Sequence, residues 1–210
     1  MKSRSLLAVP LLALLAGCET TDTVNNSAGR PTTYVTADTP GKVQGVGMES
    51  QDIISMSDKM ARDLLAQPNL VSRPTPPRII IDSEYFRNEG TSRVNKNLIT
   101  DRLRVDLNRA AQGRLLFVGR ESVNAVEAER RLKREGVTDA GTIRSTQATA
   151  GADFRLTGRI ATSDAVDPKT GMTQRWTQIT FELLDLEYGT IVWSNIYDYA
   201  KASQDDIIYR

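Results

Sequence analysis

The residues of this chain that could do chemistry are mostly carboxylates. Asp82 and Glu84 stand two apart at the end of the apolar run Arg78-Ile79-Ile80-Ile81-Asp82. On a strand that spacing places both on one face, where a carboxylate pair could divide acid and base duties. The commoner meaning is a solvated strand exit. Asp185 and Glu187 flank a hairpin and read as turn residues, while Asp205 and Asp206 read as a solvated tail. No second carboxylate pair or histidine accompanies them to complete a metal site. The chain contains no His and a single Cys, Cys18. Ser–His–Asp and Cys–His catalysis are therefore excluded. So are an intrachain disulfide and a Cys-ligated zinc or iron–sulfur centre. No cofactor is expected.

Other candidates point to binding. Gly45-Val46-Gly47 is a lone G-x-G, without the strand and third glycine that a nucleotide fingerprint needs. Arg130, Arg131, Lys133 and Arg134 form a basic run, but Glu127, Glu129 and Glu135 interleave with it, as on a solvated helix face. Trp176, Trp193, Tyr197, Tyr199 and Tyr209 fall mostly on strand patterns, where packing is the usual role and exposure would suggest an interface anchor. The polar and aromatic segment holding Tyr85, Phe86, Arg87 and Arg93 lies between regular elements, and loops often carry recognition. These four are the candidate partner-binding residues. Over 210 residues, 27 Lys and Arg balance 26 Asp and Glu, which gives no reason to expect nucleic-acid binding.

The elements that must position these residues follow from hydrophobic period. Ser50 to Ala66 carries Ile53, Met56, Met60, Ala61 and Leu64 at helical spacing, with Ser50 or Ser57 as cap and Pro68 as stop. Residues 71–77 read as an extended connector and 78–82 as a buried strand. Asn95 to Ala111 places Leu98, Ile99, Leu103 and Leu107 on one helical face, closed by Gly113. Residues 114–118 form a second buried strand. Ser122 to Glu135 is a helix capped by Ser122 and stopped by Gly136, and 137–151 is weakly patterned. Residues 153–161, 175–186 and 190–199 alternate, with turns at 167–171 and at Tyr188-Gly189. They predict a three-strand antiparallel meander. The fold class is α/β (α+β): a single mixed sheet ending in that meander and flanked by helices.

Lys2 and Arg4 precede an apolar run from Leu6 to Ala16, a secretory pattern too short to span a bilayer. Leu15-Ala16-Gly17-Cys18 resembles the lipobox of bacterial lipoproteins. The resemblance implies cleavage after Gly17, acyl chains on Cys18 and a lasting membrane anchor; Glu19 in the next position favours the outer membrane. Residues 18–47 lack period and apolar content. They read as a tether with a contour near ~100 Å and an r.m.s. span near ~30 Å, either a short spacer or a means of reach. Signal peptide 1–17, tether 18–47 and globular domain 48–210 make up the expected organisation.

The globular part resembles the LpoB-type activators of penicillin-binding proteins. The likeness rests on Gly47-Met48-Glu49-Ser50-Gln51-Asp52-Ile53, on Arg78 to Ser83 with Asn88 and Glu89, and on Gly151 to Ile160. It continues in Phe181 to Trp193 and ends at Ile208-Tyr209-Arg210. It implies a fold like the N-terminal domain of the translocation protein TolB. It also implies a function: from the outer membrane, facing the periplasm, the domain docks on a bifunctional class A penicillin-binding protein and activates peptidoglycan synthesis, catalysing nothing itself. Two other readings compete. An oligomeric outer-membrane lipoprotein (curli-secretion-like or flagellar-associated) would need long alternating strands with apolar lipid-facing sides. A periplasmic hydrolase would act through Asp82 and Glu84.

Overall fold

The computed structural model describes residues 33–40, 45–141, 143 and 149–204. Cys18, the signal segment, much of the tether, Asp205, Asp206 and Tyr209 lie outside the described residues. Residues 33–40 are exposed. Among the described residues, packing on the core begins at Val46, which is buried, and Met48, which rests on the core.

Helix α1 spans Ser50–Leu65. Its cap is not a serine. Glu49 is the N-cap, and its N–H donates to the Asp52 carboxylate at 2.8 Å, half of a capping box. The Ser50 hydroxyl instead donates to the Ala37 carbonyl at 2.7 Å, and Ser57 is buried in mid-helix. Pro68 does not simply stop the chain but opens a one-turn helix, α2 (Pro68–Val71), where its missing N–H costs nothing.

Strand β1 runs Arg78–Asn88, well past the expected end at Asp82. Helix α3 (Lys96–Ala111) leads to β2, which is only Leu116–Phe117. Gln112 and Gly113 turn the chain between them with φ of 50° and 81°. Ile99, Leu103 and Leu107 are fully buried, four apart on one stripe, while Leu98 sits one step off it and is 57% exposed. After a 3-10 turn (Arg120–Ser122), helix α4 covers Val123–Arg134 and has no buried residue. Ser122 occupies the N-cap position, but its side chain makes no cap bond.

The meander is longer than its alternation predicts: β3 is Phe154–Val166, β4 Thr173–Asp185 and β5 Ile191–Ser203. Polar residues at the strand ends masked the extension. The sheet order is β2-β1-β3-β4-β5, with β1 parallel to β2 and β3 and the last three strands antiparallel. The fold class read from the sequence holds.

Helices α1 and α3 pack on each other and on one sheet face. The facing pairs Leu156–Leu183, Gly158–Phe181 and Ile160–Ile179 share that side, and Phe154, Trp193 and Phe86 complete the buried layer. Polar contacts fix α1 to β5. The Trp193 indole N–H donates to Asp63 at 2.8 Å, and the Lys201 ammonium donates to Asp52 at 2.6 Å and to the Gly47 carbonyl at 3.0 Å. The same burial raises the Tyr199 phenol above its ordinary range, with the Asp52 charge adding to the effect.

Candidate functional site: the open face of the sheet

The irregularity in β1 builds the site. Ile81 pairs with Leu156 and Phe86 with Gly158, so β1 spends five residues where β3 spends two. The four residues between, Asp82 to Tyr85, stand against the single residue Thr157 and form a bulge that breaks the alternation and redirects side chains. Beyond it Phe86 turns into the core, 1% exposed, with its ring 5.4 Å from that of Phe181. The ring lies directly on the Gly158 backbone: a Cβ there would stand 2.1 Å from the Phe86 ring. Glycine is required by contact, not by φ.

The opposite face carries the alternate residues. Arg155, Thr157, Arg159, Thr180 and Glu182 come from β3 and β4, and Glu84, Tyr85 and Arg87 from the bulged strand. With Gly158 they line a shallow depression of about 490 Å³, except for Arg155 beside it. The Arg155 guanidinium stacks on the Tyr85 ring at 3.8 Å, a contact that fixes both side chains. Arg159 reaches Glu89 at 3.9 Å, a surface pair of small energy. Farther along the same face Trp176 is 40% exposed. The arrangement offers planar cations, carboxylates and an aromatic ring side by side on neighbouring strands, which is equipment for recognition.

The four candidate residues therefore separate. Tyr85 and Arg87 lie on the open face, on a strand and not on the loop expected. Phe86 is a core residue, because the bulge reverses its direction; it offers no surface to a partner. Arg93 lines a different cleft, of about 520 Å³, between the start of α1 and the loop entering α3, with Met48, Ile53, Val94 and Leu98. That loop is pinned to the meander. Arg175 gives Asp164 two hydrogen bonds, of 2.7 and 2.8 Å, and a third to the Ser92 hydroxyl, while Thr91 donates to Asp164 at 3.2 Å. The Arg175 hydrogen bond lowers the Asp164 carboxyl below its usual range against the opposing effect of burial.

Arg155, Arg159, Thr157, Thr180 and Glu182 escaped the sequence reading. Their signal was the alternation of Arg155-Leu156-Thr157-Gly158-Arg159 and of Thr180-Phe181-Glu182, which names a polar face once the other face is known to be covered. The carboxylates behave as expected at the hairpin, where Asp185 accepts N–H bonds from Glu187 and Tyr188 at 2.8 and 3.0 Å. Asp82 and Glu84 are split by the bulge: Glu84 lines the depression and Asp82 does not. The basic run pairs along its own helix, Lys133 with Glu129 and Arg131 with Glu135. Among the described residues no group of three or more His, Cys, Asp or Glu could hold a metal ion.

The site is thus a polar, largely open stretch of β1, β3 and β4 on a bulged mixed sheet whose other face is covered by helices. Residues 52–199 match the model of the family described as peptidoglycan-synthase activator LpoB, and the chain belongs to that family. It is an activator and not an enzyme, which sets aside hydrolysis through Asp82 and Glu84. The fold is similar to the LpoB C-terminal domain from Escherichia coli, with 14% identity over 70% of this chain and 98% of that one, at a TM-score of 0.42. It is also similar to the LpoB C-terminal domain from Salmonella enterica (16% identity, 68% and 94% covered, TM-score 0.38). Lipoprotein GNA1162 from Neisseria meningitidis is a third (16% identity, 63% and 88% covered, TM-score 0.33). No curated protein matches the chain.

Proposed function

We propose that the chain is a lipoprotein of the outer membrane, held through acylated Cys18 after removal of residues 1–17. Residues 18–47 tether a domain that faces the periplasm and docks on a bifunctional class A penicillin-binding protein. The open sheet face is the docking surface, with Tyr85, Arg87, Arg155 and Arg159 as its principal contacts and Arg93 a second point on the adjoining loop. The observation that carries this reading is the stacked Arg155–Tyr85 pair on a polar sheet face within a domain of the synthase-activator family. Docking stimulates the synthase by binding its active conformation more tightly than the resting one, and a coupling of ~1–3 kcal/mol shifts the active-to-resting equilibrium constant about 5- to 150-fold.

The test is the glycan-polymerisation rate of the organism's class A synthases with and without the chain in detergent micelles. A saturable, several-fold increase with one synthase is expected. No increase with any of them contradicts the proposal.

A further inference from the structure

A second feature lies at the tip where β4 turns into β5. Tyr188 is 80% exposed and Ile191 55%, and Leu186 is exposed beside them. A lone apolar residue on a surface needs no explanation, but a cluster at one tip does. The turn holds these residues in place. The Asp185 carboxylate accepts the N–H groups of Glu187 and Tyr188, its C=O accepts that of Gly189 at 3.0 Å, and its own N–H donates to the Thr190 C=O at 2.8 Å. The Leu186 N–H donates to the Asp153 C=O at 2.9 Å, which fastens the tip to the segment entering β3. A side chain presented from a fixed backbone has less freedom to lose on binding, and tyrosine is among the residues that most often anchor an interface.

Strand register joins this tip to the open face. Arg155 pairs with Leu184 and Leu184 with Ile191, so the three share one side of the sheet. The row that begins at the Tyr85–Arg155 stack thus continues through Leu184 to the hairpin. Strand β5 also fixes where the hairpin stands. At its other end Lys201 donates to the Gly47 C=O at 3.0 Å, where the proposed tether joins the domain. The intervening strand spans roughly 30 Å, so the hairpin is at the opposite end of the sheet from the tether. Charge adds a preference. Between Arg175 and Lys201 the sequence has Glu182, Asp185, Glu187 and Asp198 but no Lys or Arg. Two arginines toward this end, Arg155 and Arg73, lie over the Tyr85 and Phe154 rings, at 3.8 and 4.9 Å.

We infer that the β4–β5 hairpin is the anchor of the docking surface, and that it seats in an apolar pocket of the class A synthase. The pocket takes the Tyr188 ring, its walls meet Leu186 and Ile191, and a Lys or Arg at its rim meets Glu187. The inference rests on the docking reading and names the partner chemistry that reading leaves open.

The test uses the full chain in detergent micelles and a class A synthase that it stimulates, with affinity read by biolayer interferometry. Tyr188→Ser should weaken binding about tenfold or more, while Tyr188→Phe, which keeps the ring, should bind as wild type. Met172→Ser, which removes an exposed apolar side chain from the β3–β4 hairpin at the tether end, should change nothing. All three should melt within a few degrees of wild type. Glu187→Lys should weaken binding less than Tyr188→Ser does. The photoreactive residue p-benzoylphenylalanine should cross-link to the synthase from position 188 and not from position 172. Wild-type affinity in Tyr188→Ser, or a loss as large in Met172→Ser, overturns the inference and leaves the docking reading standing. A wild-type chain that stimulates no class A synthase removes the docking reading and this inference with it.

Discussion

The two faces of one sheet are built from the same three strands and obey opposite rules. On the helix-covered face the side chains are large, apolar and almost fully excluded from water: Phe154, Leu156, Ile160, Ile179, Phe181 and Leu183. On the open face their immediate neighbours are Arg155, Thr157, Arg159, Thr180 and Glu182. The first face holds the fold together. The second contributes little to stability, because exposed polar pairs on a sheet are worth tenths of a kcal/mol. A residue's place in the alternation therefore decides whether its loss is felt as unfolding or is tolerated by the fold. The bulge at Asp82 to Tyr85 is where one strand changes rules partway along.

The largest effects belong where the covered face meets the bulge. Phe86→Ala should destabilise the domain by about 3–5 kcal/mol. Gly158→Ala should cost about 1–3 kcal/mol, because the Phe86 ring must move away from the new methyl. In a double-mutant cycle read by urea unfolding, the two costs should fall well short of adding, since removing the ring also removes the clash. Additive costs would show that Phe86 and Gly158 do not touch.

A smaller effect is expected at the pinned loop. Asp164→Asn should cost about 2 kcal/mol at neutral pH, the scale for hydrogen bonds to a charged group. The folded-state pKa of Asp164 is lowered, so its contribution is complete above the unfolded carboxylate value near ~3.9 and is lost as pH falls through the folded value. The wild-type Tm should therefore drop more steeply than that of the variant as pH falls below about 4. Parallel curves would remove the pair from the account.

The smallest effect lies at the alkaline end. Burial raises the Tyr199 phenol, so the stability it contributes is intact below the unfolded value near ~10 and declines as pH rises beyond it. Tyr199→Phe should flatten the fall of Tm above pH ~10. Part of the slope should remain, because Tyr197 is raised by burial as well. A Tyr199→Phe curve as steep as wild type contradicts the assignment.

Much of the covered face was legible in the sequence, since apolar spacing reports it directly. Ile99, Leu103 and Leu107 announced α3, and the alternations of β3, β4 and β5 announced the meander. The bulge was not legible. Asp82-Ser83-Glu84-Tyr85 reads as the end of a strand, and only pairing with β3 shows that the strand resumes at Phe86. This is why Phe86 was grouped with its neighbours as a surface residue. Tyr85 and Arg87 are singled out by their type as candidates, but as loop residues, and the structure places them on a strand. The arginines they adjoin, Arg155 and Arg159, are separated from them by about seventy positions and are brought close by parallel strand pairing, which no local pattern encodes.

The most direct test of the open face as the docking surface is the glycan-polymerisation assay with a stimulated class A synthase and two charge reversals of equal size. Arg87→Glu lies on the open face, and Arg109→Glu lies on the exposed side of α3, away from it. Both variants should melt within about 2 °C of wild type, as surface substitutions generally do. The account predicts that Arg87→Glu lowers stimulation at least fivefold while Arg109→Glu leaves it unchanged. Full stimulation by Arg87→Glu together with loss in Arg109→Glu would place the synthase on the helices and contradict it.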